Sequence, residues 1–433
     1  MTAVAKGVAV LDRLFARIDA QRDALVELTQ ALVRMPTVNP PGEAYTDCAE
    51  LIGRRLAARG FAVEYLRAAG ARADSARYPR TNVVGRIEGT GPGPCVHFNG
   101  HIDVVEPGQG WSVDPFAGTV RDGRIYGRGT CDMKGGIAAS IIAAEAILAE
   151  GIRFPGAIEI SGTVDEETGG HAGVAWLAEH GRFSAPRVDH VIIPEPLQVD
   201  RICLGHRGVW WAEIEMRGRI AHGSMPFLGV SAIRGMAKFL ALVERELYPA
   251  LDRRQTRMPV VPDGARSSTL NFNSIHGGLA EGFDGPPAPL VADSCRLVLD
   301  RRYLIEESLD DVKREIVSLL DRTVQEGPGL SYAMRDLMTF APTLTEPDAP
   351  VVRALDAEIE RVLGRRASHI ASPGTYDQKH IARIGHLHDC VAYGPGLLEL
   401  AHQPDEFIVI DDMVASAKVM AAATLRLLGC LPA

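Results

Sequence analysis

Several features that would place this sequence in other classes of protein are missing. The seven cysteines are scattered and form no C-x-x-C pair, which is unlike a disulfide framework and suits a reducing compartment. No window contains the roughly 18 uninterrupted apolar residues that a membrane span needs. Acidic residues (55) outnumber basic ones (46), so a basic face for nucleic acid is not expected. We therefore expect a cytoplasmic protein without a membrane or nucleic-acid partner.

Phosphate-binding loops and repeats are missing as well. The glycine-rich segment GRGTCDMKGG (127–136) contains neither G-x-x-x-x-G-K-[ST] nor G-x-G-x-x-G, which disfavours a nucleotide site there. The chain shows no internal repeat and no low-complexity segment. It does have 433 residues with a hydrophobic fraction of 46%, which is enough for more than one ordinary globular domain.

The order of the expected elements indicates two domains. Strands alternate with helices up to about residue 205, which predicts an α/β sheet with much parallel pairing. Residues 206–341 instead follow the order β-α-β-β-α-β, the plan of a small two-layer α+β domain. The sequence therefore predicts an outer domain of residues 1–205 and 342–433, with the domain 206–341 inserted into it. The Pro/Gly-rich run at 281–289 is expected to be a loop between inner strands.

Polar side chains recur at the expected carboxyl ends of the outer strands, where the chemistry of α/β sheets gathers. His101 and Asp103 are two residues apart in HFNGHIDVV and could share one face of a strand. That pair alone fits a satisfied buried histidine as well as it fits a functional site. Other turns add four carboxylates and a histidine: Asp132, Glu166, Glu167, Glu195 and His402. Carboxylates crowded at one sheet edge would repel one another unless cations neutralise them.

Two divalent metal ions fit this set of donors. Imidazole nitrogen and carboxylate oxygen are zinc ligands, and one carboxylate shared by two ions about 3.5–4 Å apart makes a two-metal site. A carboxylate outside the ligand set is then free to act as general base on a water that the metals acidify. Zinc is the expected metal, and mixed nitrogen and oxygen ligands also accept cobalt or manganese.

Six motifs in chain order resemble the acetylornithine deacetylase / succinyl-diaminopimelate desuccinylase / aminoacylase / glutamate carboxypeptidase family of metallohydrolases. They are NGHIDVV, GRGTCDMKGG, the DEE of TVDEETGG, the EP of 195–196, AHGSMPFLGVSAI and HQPDE. The resemblance spans nearly the whole chain. It implies a zinc-peptidase-like catalytic domain with a mixed sheet, and an inserted ferredoxin-like lid through which two subunits form a homodimer.

The resemblance also implies a role for each residue of the sheet edge. Five residues would bind the metals: His101 and Glu195 one ion, Glu167 and His402 the other, with Asp132 as the bridge. Glu166 would be the proton shuttle. Asp103 would hold the His101 ring in one tautomer. The peptide after Asp132 would be cis.

Residues nearer the substrate are implied in the same way. His222, in AHGSMP, would reach the site of a partner subunit and stabilise the tetrahedral oxyanion. Arg302 would bind the substrate carboxylate, for which a fork of donors is suited. Its neighbour Arg301 is expected to be solvated. Gly374 and Thr375, in SPGTYD, would line the substrate end of the site.

The sequence departs from the family pattern in two places. The Asn and Pro that many relatives carry after the Gly-Gly of the third lid strand are absent, and LAEGFDGPPAPLVADSC stands there instead. This difference predicts an altered pocket rim. The run GTYDQKH replaces the usual GTSDAR-like run. Tyr376 and Lys379 therefore either tune substrate choice or are an ordinary loop aromatic and a solvated lysine.

These features together predict a dinuclear metal-dependent amidohydrolase that cleaves a small N-acyl amino acid. The expected activity is that of a deacylase similar to acetylornithine deacetylase or succinyl-diaminopimelate desuccinylase. Alternatives within the family are a dipeptidase or carboxypeptidase and a formyl- or ureido-amide hydrolase. An alternative from another class is a non-catalytic metal-binding homologue, against which the complete ligand set and Glu166 argue.

Overall fold

The chain divides into two compact units in the computed structural model, which describes residues 3–279, 282, 285 and 289–431, with side chains from residue 9 onward. The first unit comprises Met1–Gly205, Thr345–Ile370 and Tyr376–Ala433. The second comprises His206–Leu344 and Ala371–Thr375. Residues 371–375, which the sequence pattern assigns to the outer domain, thus group with the second unit. Most of the loop expected at 281–289 lies outside the described residues.

The described residues form helices and strands throughout both units. The helices are α1 (Ala3–Ala20), α2 (Arg22–Val33), α3 (Tyr45–Ala57), α4 (Gly135–Ala149), α5 (Trp176–Glu179), α6 (Ala232–Leu242), α7 (Tyr248–Asp252), α8 (Leu309–Gln325), α9 (Pro350–Leu363), α10 (Gln378–Arg383) and α11 (Ile410–Leu427). The strands are β1 (Ala62–Arg67), β2 (Thr81–Glu88), β3 (Cys95–His101), β4 (Thr119–Arg121), β5 (Arg124–Tyr126), β6 (Ala157–Thr163), β7 (His190–Ile193), β8 (Arg201–His206), β9 (Gly208–Arg217), β10 (Thr269–Gly277), β11 (Ser294–Tyr303), β12 (Ser331–Phe340), β13 (Thr343–Leu344), β14 (Ser368–Ser372), β15 (Cys390–Ala392) and β16 (Phe407–Val409).

A mixed sheet forms the centre of the first unit. Its strands follow the order β1-β2-β6-β3-β7-β15-β8, with parallel pairing from β6 to β15 and antiparallel pairing at both ends. Every residue of β3 and β6 is buried, and the apolar, alanine-rich helix α4 contacts both strands. A strand buried on both faces is usually apolar nearly throughout. Here apolar residues alternate instead with buried polar ones, which are His97, Asn99 and His101 on β3 and Glu159, Ser161 and Thr163 on β6. The predicted α/β class with a mixed sheet is confirmed.

The carboxyl ends of the central strands meet at one edge of this sheet. β3 runs parallel to β6, with His101 opposite Thr163, and parallel to β7 on its other side. The segments that leave β6 and β7 carry Glu166, Glu167 and Glu195. Parallel neighbouring strands have their carboxyl ends at the same edge of a sheet. These carboxylates therefore lie near His101, the last residue of β3.

The second unit contains a four-stranded antiparallel sheet in the order β10-β11-β9-β12. Along the chain its main elements are β9, α6, β10, β11, α8 and β12, which is the predicted β-α-β-β-α-β order, with α7 as an addition. Side chains alternate along β9, so that Trp210, Ile214 and Met216 join a core with α6 and α8. The alternation is that of a strand covered on one face.

The helices and the cysteines bear on the environment that the sequence predicts for this protein. No helix among the described residues is long and apolar enough to cross a bilayer. Each of the seven cysteines has a free thiol, and six of them are buried. The six buried cysteines therefore act as small core residues, which is their usual role when they are neither paired nor reactive.

Candidate metal centre

Three residues from three turns form a first candidate ligand group. His101 ends β3, Asp132 lies in the turn before α4, and Glu195 follows β7. The Nε2 atom of His101 lies 3.1 Å from Oδ1 of Asp132 and 3.9 Å from Oε1 of Glu195. One ligand atom from each residue lies within 4.8 Å of the other two. One nitrogen and two carboxylate oxygens at this spacing suit a zinc-type ion.

A second group shares Asp132 with the first. The Nε2 atom of His402 lies 3.1 Å from Oε1 of Glu167 and 3.5 Å from Oδ2 of Asp132. Their ligand atoms also lie within 4.8 Å of one another. Asp132 thus offers Oδ1 to one group and Oδ2 to the other, as a bridging carboxylate does. The structure brings together all five residues that were expected to bind metal, and the peptide after Asp132 is cis.

Burial and crowding perturb the acidic groups of the centre. Burial, aided by the charge of Asp132, raises the pKa of Glu195 well above its usual range. The same two causes raise the pKa of Glu167 to about 7. Hydrogen bonds to Asp132 and Glu167 raise the pKa of His402 to about 10. Divalent cations would supply the positive charge that these carboxylates otherwise draw from protons, so the donor set fits two such ions.

The carboxylate of Asp103 organises the turn that carries Glu166 and Glu167. Its Oδ1 accepts a hydrogen bond from the Glu166 backbone N–H at 3.1 Å, and its Oδ2 accepts one from the Glu167 N–H at 3.1 Å. The Asn39 amide donates to Oδ2 at 3.0 Å. The Nδ1 atom of His101 lies 3.0 Å from the Asp103 carbonyl oxygen but 3.7 Å from its carboxylate. The backbone of Asp103 therefore orients the imidazole, and its side chain orients the acidic turn.

A buried ion pair fixes the start of that turn. Asp165 adopts a φ of 64°, in the left-handed region. A non-glycine residue held there costs about 1–3 kcal/mol and persists only when its surroundings impose it. Arg80 Nε donates to Asp165 Oδ2 at 3.0 Å, and the Tyr45 hydroxyl donates to Oδ1 at 2.9 Å. These two contacts stabilise the left-handed conformation of Asp165, the residue directly before Glu166.

Glu406 anchors the backbone of the Asp132 turn, a role that was not predicted from the sequence. Its Oε1 accepts hydrogen bonds from the backbone N–H groups of Cys131 at 2.8 Å and Asp132 at 3.1 Å. Its Oε2 pairs with the buried Arg128. Glu406 closes the motif HQPDE, so its place beside His402 in that motif was the available signal.

The Glu166 carboxylate has a buried cationic partner. Its Oε1 lies 2.9 Å from Nζ of Lys379, whose side chain is 2% exposed. The solvated-lysine interpretation of Lys379 is therefore wrong. Tyr376 is buried too, and its hydroxyl donates to Oε1 of Gln378 at 2.6 Å. Both residues are interior parts of the first unit, and Lys379 directly contacts the expected proton shuttle.

Comparison with known proteins identifies the family. Residues 97–426 match the model of peptidase family M20/M25/M40. The chain belongs to this family. A succinyl-diaminopimelate desuccinylase of Methylobacterium radiotolerans is 30% identical to it over 400 residues, covering 90% of this chain and 93% of the relative. The M20/M25/M40 protein described here is accordingly a hydrolase that acts on amide bonds, as predicted.

Solved structures of similar fold cover almost the whole chain. The di-peptidase Dug1p of Saccharomyces cerevisiae superposes with a TM-score of 0.74 at 16% identity, covering 98% of this chain and 99% of that one. A dinuclear metal-binding peptidase of family M20 from Bacillus subtilis has a TM-score of 0.68 at 15% identity, with coverages of 95% and 99%. At these identities the likeness establishes the fold alone.

The residues expected near the substrate belong to the second unit. His222 is exposed, and its Nδ1 lies 2.8 Å from the Ser224 hydroxyl. Arg302, on β11, donates from Nε and Nη2 to the Asp300 carboxylate at 2.7 and 3.1 Å. The Gly374 N–H donates to the Ser372 hydroxyl at 3.2 Å, and the next residue, Thr375, is half-buried. Their roles toward substrate in this M20/M25/M40 protein stay predictions.

The expectation that Arg301 is solvated is wrong. Its side chain is fully buried and lies 2.9 Å from Oε1 of Glu307. Along β11 the residues that alternate with Arg302 face the core, and Arg301 shares that face with Leu299 and Tyr303. The two-residue period of a strand thus separates the two arginines, leaving Arg302 as the more accessible one.

Replacing Asp103 tests the organisation of the acidic turn. Asp103→Ala should lower kcat/KM by about 10–100-fold, the usual effect of losing a group that supports metal ligands. The variant still contains all five expected ligand side chains, so the number of ions bound at saturating metal should be unchanged. Amide hydrolysis and metal analysis on the same samples check this, with Asp103→Asn as the conservative control. Wild-type activity in the alanine variant would show that the carboxylate does not position the turn.

Proposed function

We propose that the protein is a two-metal deacylase that hydrolyses the amide bond of a small N-acyl amino acid. The observation that carries this proposal is the pair of ligand groups sharing Asp132, with Glu166 in the same turn as one of the ligands. The similarity to a succinyl-diaminopimelate desuccinylase supports an acyl amino acid as substrate. The similarity of fold to a dinuclear metal-binding peptidase supports two ions.

The residues of this chain would bind the two ions and transfer the proton of the reaction. His101, Glu195, Glu167, His402 and the bridging Asp132 would hold two divalent ions, zinc first and cobalt or manganese as alternatives. When bound, the ions acidify a water molecule and polarise the amide carbonyl. Glu166 accepts the proton of the attacking water and delivers it to the leaving amine. The hydrogen bond from the Glu166 backbone N–H to Asp103 positions Glu166 for this proton transfer.

Two side chains of the second unit are suited to the substrate's charges. The Ser224 N–H donates to Nδ1 of His222 at 3.2 Å, which leaves the proton of a neutral ring on Nε2, where it can be donated to an oxyanion. Asp300 occupies Nε and Nη2 of Arg302, and Nη1 has no hydrogen-bond partner among the described residues. We assign Arg302 to the substrate carboxylate, with Gly374 and Thr375 lining the same end.

A homodimer formed through the second unit is part of the proposal. Three apolar side chains of this unit are largely exposed: Ile220 by 56%, Phe227 by 77% and Leu228 by 55%. Large apolar side chains close together on a soluble protein's surface are typical of a contact with another chain. They lie within ten residues of His222, the residue expected to serve a partner's site.

A substrate panel tests the proposed activity. Metal-loaded protein is assayed on N-formyl, N-acetyl, N-succinyl and N-carbamoyl amino acids and on a set of dipeptides, with Glu166→Gln protein as the control for contaminating hydrolases. We expect one N-acyl amino acid to give the highest kcat/KM, and its α-carboxamide analogue to be a poor substrate. Cleavage of dipeptides alone would favour a peptidase instead. No cleavage by protein that binds both ions would identify a non-catalytic homologue.

A further inference from the structure

The two oxygens of the Glu166 carboxylate are in different situations. Oε1 lies 2.9 Å from the ammonium of Lys379, and both side chains are largely buried, with 12% and 2% exposed. Within the described part of the chain, Oε2 has no hydrogen-bond partner. A carboxylate held at one oxygen by a cation cannot rotate freely, so its other oxygen keeps one direction.

Lys379 is itself held in place by the start of α10. The Gln378 amide donates to the carbonyl oxygens of Leu204 at 3.1 Å and Cys390 at 2.7 Å. The Lys379 N–H donates to the carbonyl of Tyr376 at 3.1 Å, whose hydroxyl bonds back to Gln378. The ammonium is therefore presented by a preorganised segment, which is what a precise site requires.

The surroundings of Glu166 are otherwise acidic. Its turn neighbour Glu167 belongs to the second candidate ligand group, and the buried carboxylate of Asp377 interacts electrostatically with Glu166. Among the described residues, Lys379 is the one cationic side chain that forms an ion pair with Glu166. Removing one partner of a buried ion pair leaves an uncompensated charge, which would turn the Glu166 side chain toward solvent or toward the metals.

We propose that Lys379 is a positioning residue that holds Glu166 by Oε1, so that the proton of the reaction moves on and off Oε2. Glu166 Oε2 gains the proton as the water oxygen bonds to the amide carbon. It loses that proton to the amine nitrogen as the carbon–nitrogen bond breaks. Lys379 stays protonated throughout and exchanges nothing. This assignment rests on the proposed function, because it requires Glu166 to be the shuttle.

Lys379→Met removes the ammonium and keeps a side chain of similar length. We expect kcat to fall about 10–100-fold with KM and metal content unchanged, because the interaction lost serves the transition state. Lys379→Arg keeps a donor for Oε1 and should retain more of kcat. Lys418→Met, which breaks an ion pair with Asp19 on the outside of the first unit, should behave as wild type. Wild-type kcat in folded Lys379→Met would overturn the proposal.

A double-mutant cycle shows whether Lys379 acts through Glu166. In the Glu166→Gln background, adding Lys379→Met should cause no further loss of kcat, because the group it positions is gone. A further loss equal to that of the single variant would overturn the proposal. Lys379→Leu, which also lacks a donor and has the same expected results, replaces the methionine variant if that one does not fold. If Glu166→Gln itself keeps full activity, the proposed function fails first, which separates the two failures.

Discussion

Glu166→Gln is expected to lower kcat by about 10²–10⁴-fold, the usual contribution of a general acid–base group. Glutamine keeps the shape of the side chain but cannot accept a proton. The five expected metal ligands are untouched, and the backbone bonds from the turn to Asp103 do not involve the Glu166 side chain. The loss should therefore appear in kcat, with two ions still bound. Steady-state kinetics and metal analysis on one preparation provide the measurement.

A surface glutamate provides the matched control for this variant. Glu64 pairs with Arg182 on the outside of the first unit, and Glu64→Gln removes the same charge from a residue outside the acidic turn. That variant should keep wild-type kinetics. If Glu166→Gln were within a few-fold of wild type, another group would be moving the proton and the assignment of the shuttle would be wrong.

Asp132→Ala is expected to have the largest effect on the centre itself. Asp132 is the residue that both ligand groups share, through its two different oxygens. Its loss should weaken binding of both ions and lower kcat/KM by about 10³-fold or more, as removal of a several-kcal/mol metal contribution implies. Metal content after dialysis and kcat/KM report the two effects.

His402→Ala provides a comparison with a smaller expected loss of metal. It removes a ligand from one group only, so one ion should be retained more strongly than in Asp132→Ala. Asp19→Ala removes an exposed carboxylate on α1 and should change nothing. Equal and full metal content in Asp132→Ala and wild type would rule out a bridging role.

The sequence was sufficient for the parts of the site that depend on local pattern. Apolar strands alternating with helices predict the sheet, and polar residues directly after such strands must lie near its carboxyl edge. His101 and Glu195 follow this rule, since they end or follow the neighbouring parallel strands β3 and β7. The distribution of ligands between two ions was implied by the family resemblance and has no local signal of its own.

The details that the sequence did not predict depend on where the chain turns and on distant partners. The same-face argument for His101 and Asp103 assumes a continuing strand, but β3 ends at His101, so the carboxylate of Asp103 points to the acidic turn instead. Lys379 was not recognisable as buried because its partner Glu166 is 213 residues away. A charged residue is buried only when such a partner is supplied, and sequence spacing does not reveal it.

Anomalous diffraction from crystals of the zinc-loaded protein would locate the bound ions. We expect two peaks per chain, one on each side of the Asp132 carboxylate. The first should lie among His101, Asp132 and Glu195, and the second among Asp132, Glu167 and His402. A single peak, or peaks away from Asp132, in protein that hydrolyses an N-acyl amino acid would contradict the two-metal centre described here.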